Sequence, residues 1–508
     1  MTLSLGVDVG GTHTDAVAAR DGRVLAWAKR PTSADVASGV ASALQALLAE
    51  GVEPADVGRV CVGTTHFTNA VLERSSLSRT AVIRLCRPAG TGIPPFSDWP
   101  AALRTALDGG SFMISGGLEH DGRLISSLRP EELESVAGEL RDRGIKSAAV
   151  CGIFANLDGR QELEAASRLK SACPGLEVTV SHEIGRTGLL ERENASILNA
   201  CLVPLARRVL GSLAACVRAA GLRCPVFVSR NNGSLMSCET AARYPIQTFA
   251  SGPTNSIRGA AVLAGIREGL VLDIGGTSSD LGALVAGYPR PASFAVSMGG
   301  VRTNFQLPDI LSLPLGGGSL VRGENIGPES VGCELERRAI SFGGPDLTAT
   351  DLAVVAGLVS LGSRRPSVPP ESVARGLKLI HGRIREAVER MRTGPQPVRL
   401  VAVGGAAFLV PDELPGVSEI LRPALGPVAN AVGAATARVL GEVDRIVSLE
   451  SMGREQALET VVETARKRAV AAGADPRTLE VVEVEEIPLA YLPGTSSRFV
   501  VRVEGRLE

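Results

Sequence analysis

Two ten-residue segments far apart in the chain carry the same chemistry-bearing residues at the same spacing: VDVGGTHTDA at 7–16 and LDIGGTSSDL at 272–281. Asp8 and Asp273, Gly10 and Gly275, Gly11 and Gly276, Thr12 and Thr277, and Asp15 and Asp280 coincide, and the apolar positions match in kind. Each segment reads as a strand, a glycine turn and a second strand. The paired glycines can take positive φ and present bare N–H groups, an arrangement that cradles phosphate oxygens. Asp8 and Asp273, at the strand ends, offer the carboxylate oxygens that Mg²⁺ takes directly or through water. Thr12, Thr14, Thr277 and Ser278 add hydroxyls for phosphate oxygens. A single D-x-G-G-T turn reads equally well as a strand reversal with the aspartate capping its own turn; the second copy shifts that balance. A third turn, VAVGGAAFL at 401–409, lies between a strand and a helix. Its Gly404 and Gly405 would let an adenine or ribose approach the backbone, although such a pair also serves tight helix–strand packing.

Gly63, Thr64, Thr65 and Asn69 form a strand-to-helix junction, where free N–H groups and the helix dipole would bind a substrate carbonyl or developing negative charge. Ordinary N-capping by Thr65 is the alternative. Of the five histidines only His13 and His66 fall inside Gly/Thr-rich motifs. They are candidates for an acid/base pair near a transferred phosphoryl group, or are simply hydrogen-bonded structural residues.

The elements that must position these residues follow a βαβ rhythm. LSLGVDV at 3–9 and VLAWAKR at 24–30, with a D-G turn at 21–22, read as a hairpin sheet. A helix over 34–50, a strand at 59–63 and a helix after Thr65 follow; strands at 81–86, 147–155 and 177–183 then alternate with helices at 131–144 and 160–172. A long helix over 189–220 leads to a strand near 225–233. Residues 450–508 read as a helix at 455–473 and two strands, a small α+β appendix.

Composition limits the function classes. Lys plus Arg number 53 against 54 Asp plus Glu, with no block of like charge, so nucleic-acid or membrane binding is not expected. Aromatics are 3% of the chain while glycines number 58 of 508, the balance of an α/β protein with many turns near ligands. Nine cysteines without a C-x-x-C do not form a disulfide framework, which points to the cytoplasm. The N-terminus has no basic and apolar leader, and charges interrupt the apolar stretches, so no membrane span is expected. No His/Cys pair stands at zinc-ligand spacing.

With three glycine turns in this order, the sequence resembles the sugar kinase, Hsp70 and actin superfamily of two-lobed ATP-binding proteins. A narrower resemblance, to the A-type subunit of the hydantoinase/oxoprolinase family, covers roughly residues 3–440. It rests on LGVDVGGTHTDAV (5–17), VGTTHFTNAVLER (62–74), SHEIGRTGLLERENASILNACLVP (181–204), NNGSLMSCETAARYPIQTFASGP (231–253), VLDIGGTSSDLG (271–282), LGGGSL (315–320) and GPESVG (327–332). Relatives hold an aromatic where His13 stands and an acidic residue within the segment that here reads LSLP (311–314). The resemblance implies an α/β fold of two ribonuclease-H-like (actin-like ATPase) lobes with a nucleotide cleft, over 1–188 and 189–445, plus a small C-terminal α+β appendix over 446–508. It implies ATP and Mg²⁺ as cofactors, held by the glycine turns with Asp15, Asp280, Gly316, Gly317 and Gly318 among the contacts. The implied activity is ATP-dependent hydrolysis of a cyclic amide such as a hydantoin, 5-oxoproline or another lactam, with a second hydrolase subunit as a separate chain and an oligomeric state. The alternatives are a small-molecule kinase-like phosphotransferase and a non-catalytic nucleotide-responsive subunit.

Overall fold

The structure is a computed structural model that describes residues 3–507 apart from 11–12, 33–35, 187, 293–295, 324, 450–451 and 490–494. Strand Leu3–Val9 pairs antiparallel with His13–Arg20 and parallel with Val57–Thr64, which is itself parallel to Val226–Ser229. In the second lobe Gly269–Ile274 pairs antiparallel with Ser279–Val285 and parallel with Val398–Val403, which is parallel to Val417–Leu421. The ten-residue repeat is therefore the opening hairpin of two copies of one sheet topology. In the first lobe Asp21 and Gly22 turn the next hairpin at φ 52° and 78°, the left-handed pair that a two-residue turn requires.

Every residue of Leu3–Val9 is buried because both faces of its sheet are covered. Leu5 and Val7 share a core with Val40, Leu44 and Leu202 of helices Val36–Ala49 and Leu189–Ala219. On the neighbouring strand Val17 and Ala19 point the other way, onto Ala431, Val432 and Ala435 of helix Ala429–Thr436. A separate, all-parallel sheet of Asp108–Ser115, Thr80–Arg87, Ser147–Gly152 and Glu177–Val180 is inserted after the first lobe's fourth strand. It is tied to the main core by the buried pair of Arg84 and Glu193, joined by two bonds of 2.6 and 2.7 Å. Among the described residues only helix Leu189–Ala219 has the length and composition to cross a membrane; here seventeen of its residues, Arg192 and Glu193 among them, are buried in protein.

Three features differ from the expected layout. The first sheet draws strands from both sides of 188 and 445, since Val226–Ser229, Leu235–Ser237 and Val439–Ser448 all belong to it. The appendix is present as helix Arg454–Ala471 with strands Glu480–Pro488 and Ser496–Gly505, but the strands extend that same sheet to nine. Pairing with Val439–Ser448 satisfies backbone groups that would otherwise form an open edge, and Phe499, Val501 and Val503 bury against Val461 and Ala465. The glycine turn at 404–405 also opens no full helix. A single 3₁₀ turn, Ala407–Leu409, follows it.

Candidate active site

The hairpin register places Asp8 directly opposite Asp15, and Asp273 directly opposite Asp280. The two turns close identically: the Gly10 N–H donates to the His13 carbonyl at 3.0 Å, and the Gly275 N–H to the Ser278 carbonyl at 2.9 Å. Like charges facing each other across a hairpin repel, so each lobe must compensate. In the first lobe Lys29 donates to Asp15 Oδ1 at 2.7 Å, and Asn430 Nδ2 donates to Asp8 Oδ2 at 3.1 Å and to Asp15 Oδ2 at 3.0 Å. In the second lobe, among the described residues, only hydroxyls serve, Ser256 on Asp273 and Ser312 on Asp280, both at 2.5 Å.

One helix joins the two pairs. Asn255 donates to Asp8 Oδ1 at 3.0 Å, and its neighbour Ser256 donates to Asp273. Helix Ser251–Ala264 thus holds one repeated aspartate from each lobe with adjacent residues. Burial raises both acids to a pKa of about 6. The amides of Asn255 and Asn430 pull Asp8 back down, while the charges of Asp280, Asp8 and Asp15 push Asp273 further up. Burial raises Asp280 as well.

Two glycines make room for these side chains, one beside each copy of the repeat. Gly63 faces Asp8 on the parallel neighbour strand, and a Cβ there would lie 2.0 Å from Asp8 Oδ1. Gly404 follows the equivalent strand at φ +88°, where a Cβ would lie 2.2 Å from Asp273 Oδ1. Both glycines therefore pack against an aspartate, while Gly405 is exposed with open space before it. The buried Gly316, Gly317 and Gly318 lie on the second turn, with Gly317 N–H donating to Gly275 O at 2.9 Å and Gly318 N–H to Gly276 O at 2.7 Å. Thr277 and Ser278 are left exposed at its tip.

The remaining expected residues fall as follows. Gly11 and Thr12 lie outside the described residues. Thr14 is fully buried with its hydroxyl 3.3 Å from that of Thr32. Thr64 is buried, accepts the His66 N–H at 3.1 Å, and its carbonyl receives Ser251 Oγ at 3.1 Å. Thr65 stands at the N-cap of helix His66–Glu73 without a capping side-chain bond, so Thr64 does the work expected of Thr65. Asn69 is exposed on that helix. His66 meets Phe67 edge-on at 5.9 Å. Burial and then Lys29 lower the pKa of His13, with Asp15 and Glu336 of the second lobe opposing. Among the described residues no group of three or more His, Cys, Asp or Glu is placed to hold a metal ion.

Lys29, Asn255, Ser256, Ser312 and Asn430 carried no motif signal. Asn255 stands two residues beyond the FASGP block, and Lys29 is recognisable only once strand register is known.

Residues 4–173 match the hydantoinase/oxoprolinase N-terminal region, and residues 192–363 match hydantoinase/oxoprolinase. The chain belongs to the hydantoinase/oxoprolinase family. It is 24% identical over 420 residues to the acetophenone carboxylase gamma subunit of Aromatoleum aromaticum, an alignment covering 75% of this chain and 57% of that one. The chain thus spans little more than half of that relative. Among solved structures it resembles the ATP-dependent caprolactamase of Pseudomonas jessenii (TM-score 0.76, 18% identity, 99% of this chain and 88% of that chain). It also resembles nucleotide-free acetone carboxylase (TM-score 0.70, 16% identity, 100% and 88%). These likenesses and the repeated sheet topology make the fold that of two ribonuclease-H-like lobes, the actin-like ATPase architecture.

Proposed function

We propose that this chain binds ATP between its lobes and uses it to open a cyclic amide, alone or as the ATP-handling subunit of a two-chain hydrolase. The observation that carries the reading is the meeting of one aspartate from each repeated glycine turn, Asp8 and Asp273, on adjacent residues of one helix, with Lys29 a cation on Asp15 opposite Asp8. Such a group is short of positive charge. Mg²⁺ suits it, because that ion takes one or two carboxylates together with phosphate oxygens and water. Asp8 and Asp273 would hold it. Beside them Asn255 Oδ1 is buried with no hydrogen-bond partner among the described residues, an acceptor still to be satisfied.

An amide is a poor electrophile, and ATP bound with magnesium supplies a γ-phosphoryl group for its oxygen, after which water can open the ring with release of phosphate. The chain's own residues bind, orient and exclude. Thr277 and Ser278 present hydroxyls and the second turn presents N–H groups to phosphate. Closure of the lobes would keep water out until the amide is activated. His66, at the first turn of its helix, would orient water or exchange a proton. The proposed place of action is a reducing cytoplasm, in keeping with nine free cysteines.

ADP release measured against lactams, hydantoins and polyols tests the proposal, which expects release with a lactam or hydantoin together with the ring-opened product. Activity on polyols alone would replace it with a kinase. A second reading, phosphoryl transfer in service of carboxylation, is favoured by the likeness to an acetophenone carboxylase subunit; its mark is nucleotide turnover that requires a ketone and bicarbonate together. Nucleotide binding without turnover on any of these would point to a nucleotide-responsive subunit that acts on a partner chain.

Two outcomes follow from the proposal. Adenine nucleotide with Mg²⁺ should raise the thermal midpoint, by the equivalent of about 2.7 kcal/mol at a hundredfold excess over Kd. An unchanged midpoint at millimolar nucleotide would end the ATP reading. His66→Asn keeps a donor and an acceptor but cannot exchange protons, so turnover should fall by about 10²- to 10⁴-fold with nucleotide affinity little changed. Activity within about threefold of wild type would make His66 structural.

A further inference from the structure

Away from the aspartates, the junction between the first lobe and the C-terminal helix forms an open cavity of about 630 Å³. Its walls come from the end of strand Val226–Ser229, the turn and helix after it, and the last turn of helix Arg454–Ala471. The volume lies within the range of small-molecule pockets, on the order of 300–1,000 Å³. No lining residue belongs to the aspartate cluster.

The charges facing the cavity do not balance. Arg230, partly buried, makes no side-chain hydrogen bond or ion pair with any described residue, and its Nε is fully buried without a partner. Glu442, whose charge reaches it, is bonded instead to Arg502 at 3.4 Å. Arg468, also lining it, bonds among the described residues only the Glu442 carbonyl, at 2.7 Å, and in the last turn of its helix it offsets the negative end of the dipole. The acids at the cavity are already engaged. Glu183 accepts from Arg243 at 2.7 Å and from the Tyr244 hydroxyl at 2.6 Å, and Glu162 behind the wall accepts from His182 at 2.7 Å. A guanidinium withdrawn from water without a carboxylate is costly, and burial accordingly pulls the Arg230 pKa down. Leu235 and Met236 give one wall an apolar surface, and Thr240 and Gln247 add hydrogen-bonding groups.

We propose that this cavity is a binding site for a small organic anion, a carboxylate or phosphate seated between Arg230 and Arg468 with its apolar part against Leu235 and Met236. The inference stands independently of the ATP-dependent activity proposed above. It also gives the 446–508 segment a role, since Arg468 and the helix end at Ala471 and Ala472 complete the pocket.

Equilibrium dialysis of the full chain at low ionic strength, with labelled benzoate and labelled inorganic phosphate as probes, tests it. The expected result is one saturable site for at least one probe. Benzoate binding more tightly than acetate would reflect the apolar wall, and displacement of one probe by the other would reflect a shared charge site. Arg230→Gln should weaken binding at least about tenfold and Arg468→Gln a few-fold, with Arg230→Lys intermediate. Arg230→Met should leave the ligand-free thermal midpoint unchanged or raised, because it removes an unpaired cation, while abolishing the rise that the probe produces in wild type. The proposal is overturned if neither probe binds saturably up to about 10 mM, or if both Arg→Gln variants bind as wild type does. A lowered midpoint with intact binding in Arg230→Met would likewise make Arg230 a structural residue.

Discussion

Asp273→Asn is expected to lower substrate-dependent ADP release at least about 10³-fold and, in the same protein, to raise the stability of the nucleotide-free state near neutral pH. The first effect follows from removing one of two carboxylates placed for the metal and phosphates. The second follows from burial, with help from Asp280, Asp8 and Asp15, which lifts the Asp273 pKa from 3.8 to about 6. Below the unfolded value both states hold the proton and the group is neutral in its effect. Between the two values the folded state holds it more tightly, so stability falls as pH rises through this window, and above it the full loss persists. A rise of this size corresponds to a loss of about 2–3 kcal/mol. An asparagine does not ionise and keeps an oxygen for the Ser256 hydroxyl, so the gain should appear above about pH 6 and vanish near pH 4. Position 273 is a cleaner test than position 8, where both carboxylate oxygens accept from amides and an NH₂ group would face another donor. Urea unfolding across this pH range, paired with an ADP assay, reads both effects. Activity within about tenfold of wild type, or lower stability at neutral pH, would remove Asp273 from the role given to it.

Gly259→Ala is expected to destabilise the protein by about 3–5 kcal/mol or to prevent folding. Gly259 lies on helix Ser251–Ala264, and a Cβ there would sit 1.7 Å from the carbonyl oxygen of Ala429. The contact is reciprocal: a Cβ on Gly433 would sit 1.9 Å from the Asn255 carbonyl, and one on Gly6 would sit 2.1 Å from the Ala431 carbonyl. Backbone meets backbone at all three, so no flexible side chain can yield. The same helices carry Asn255, Ser256 and Asn430, and their spacing therefore sets how the aspartates are held. Gly211→Ala is the control. Gly211 is exposed inside helix Leu189–Ala219 with nothing within 4 Å of an added Cβ, and there alanine should stabilise by about 0.5–1 kcal/mol. Unfolding followed by circular dichroism separates the two, and a Gly259→Ala cost under about 1 kcal/mol would contradict the close approach.

Read alone, the amino-acid sequence determined the local half of this protein. The D-x-G-G-T repeat, the Asp21–Gly22 turn and the helix at 160–172 are encoded by neighbours in the chain, because turn chemistry and apolar periodicity act over a few residues. From these came the hairpins and the candidate roles of Asp8 and Asp273, while the two ribonuclease-H-like lobes were what the family resemblance implied. Tertiary structure alone decided what holds those aspartates. A two-residue turn at 21–22 with regular pairing would set Asp15 opposite Ala28; a bulge between Ala18 and Ala19 shifts the register so that Lys29 faces it instead. Asn430 reaches Asp8 across a sequence separation of 422 residues, and Asn255 across 247. Their side chains are ordinary amides on helices whose placement depends on the glycine contacts at 6, 259 and 433. Nor could the sequence alone show that the strands after 480 would extend the first sheet, or that Arg230 and Arg468 would face one cavity. Packing between distant segments sets such pairings, and its energy depends on which backbones can approach, a property carried by the assembled chain and by no local stretch of it.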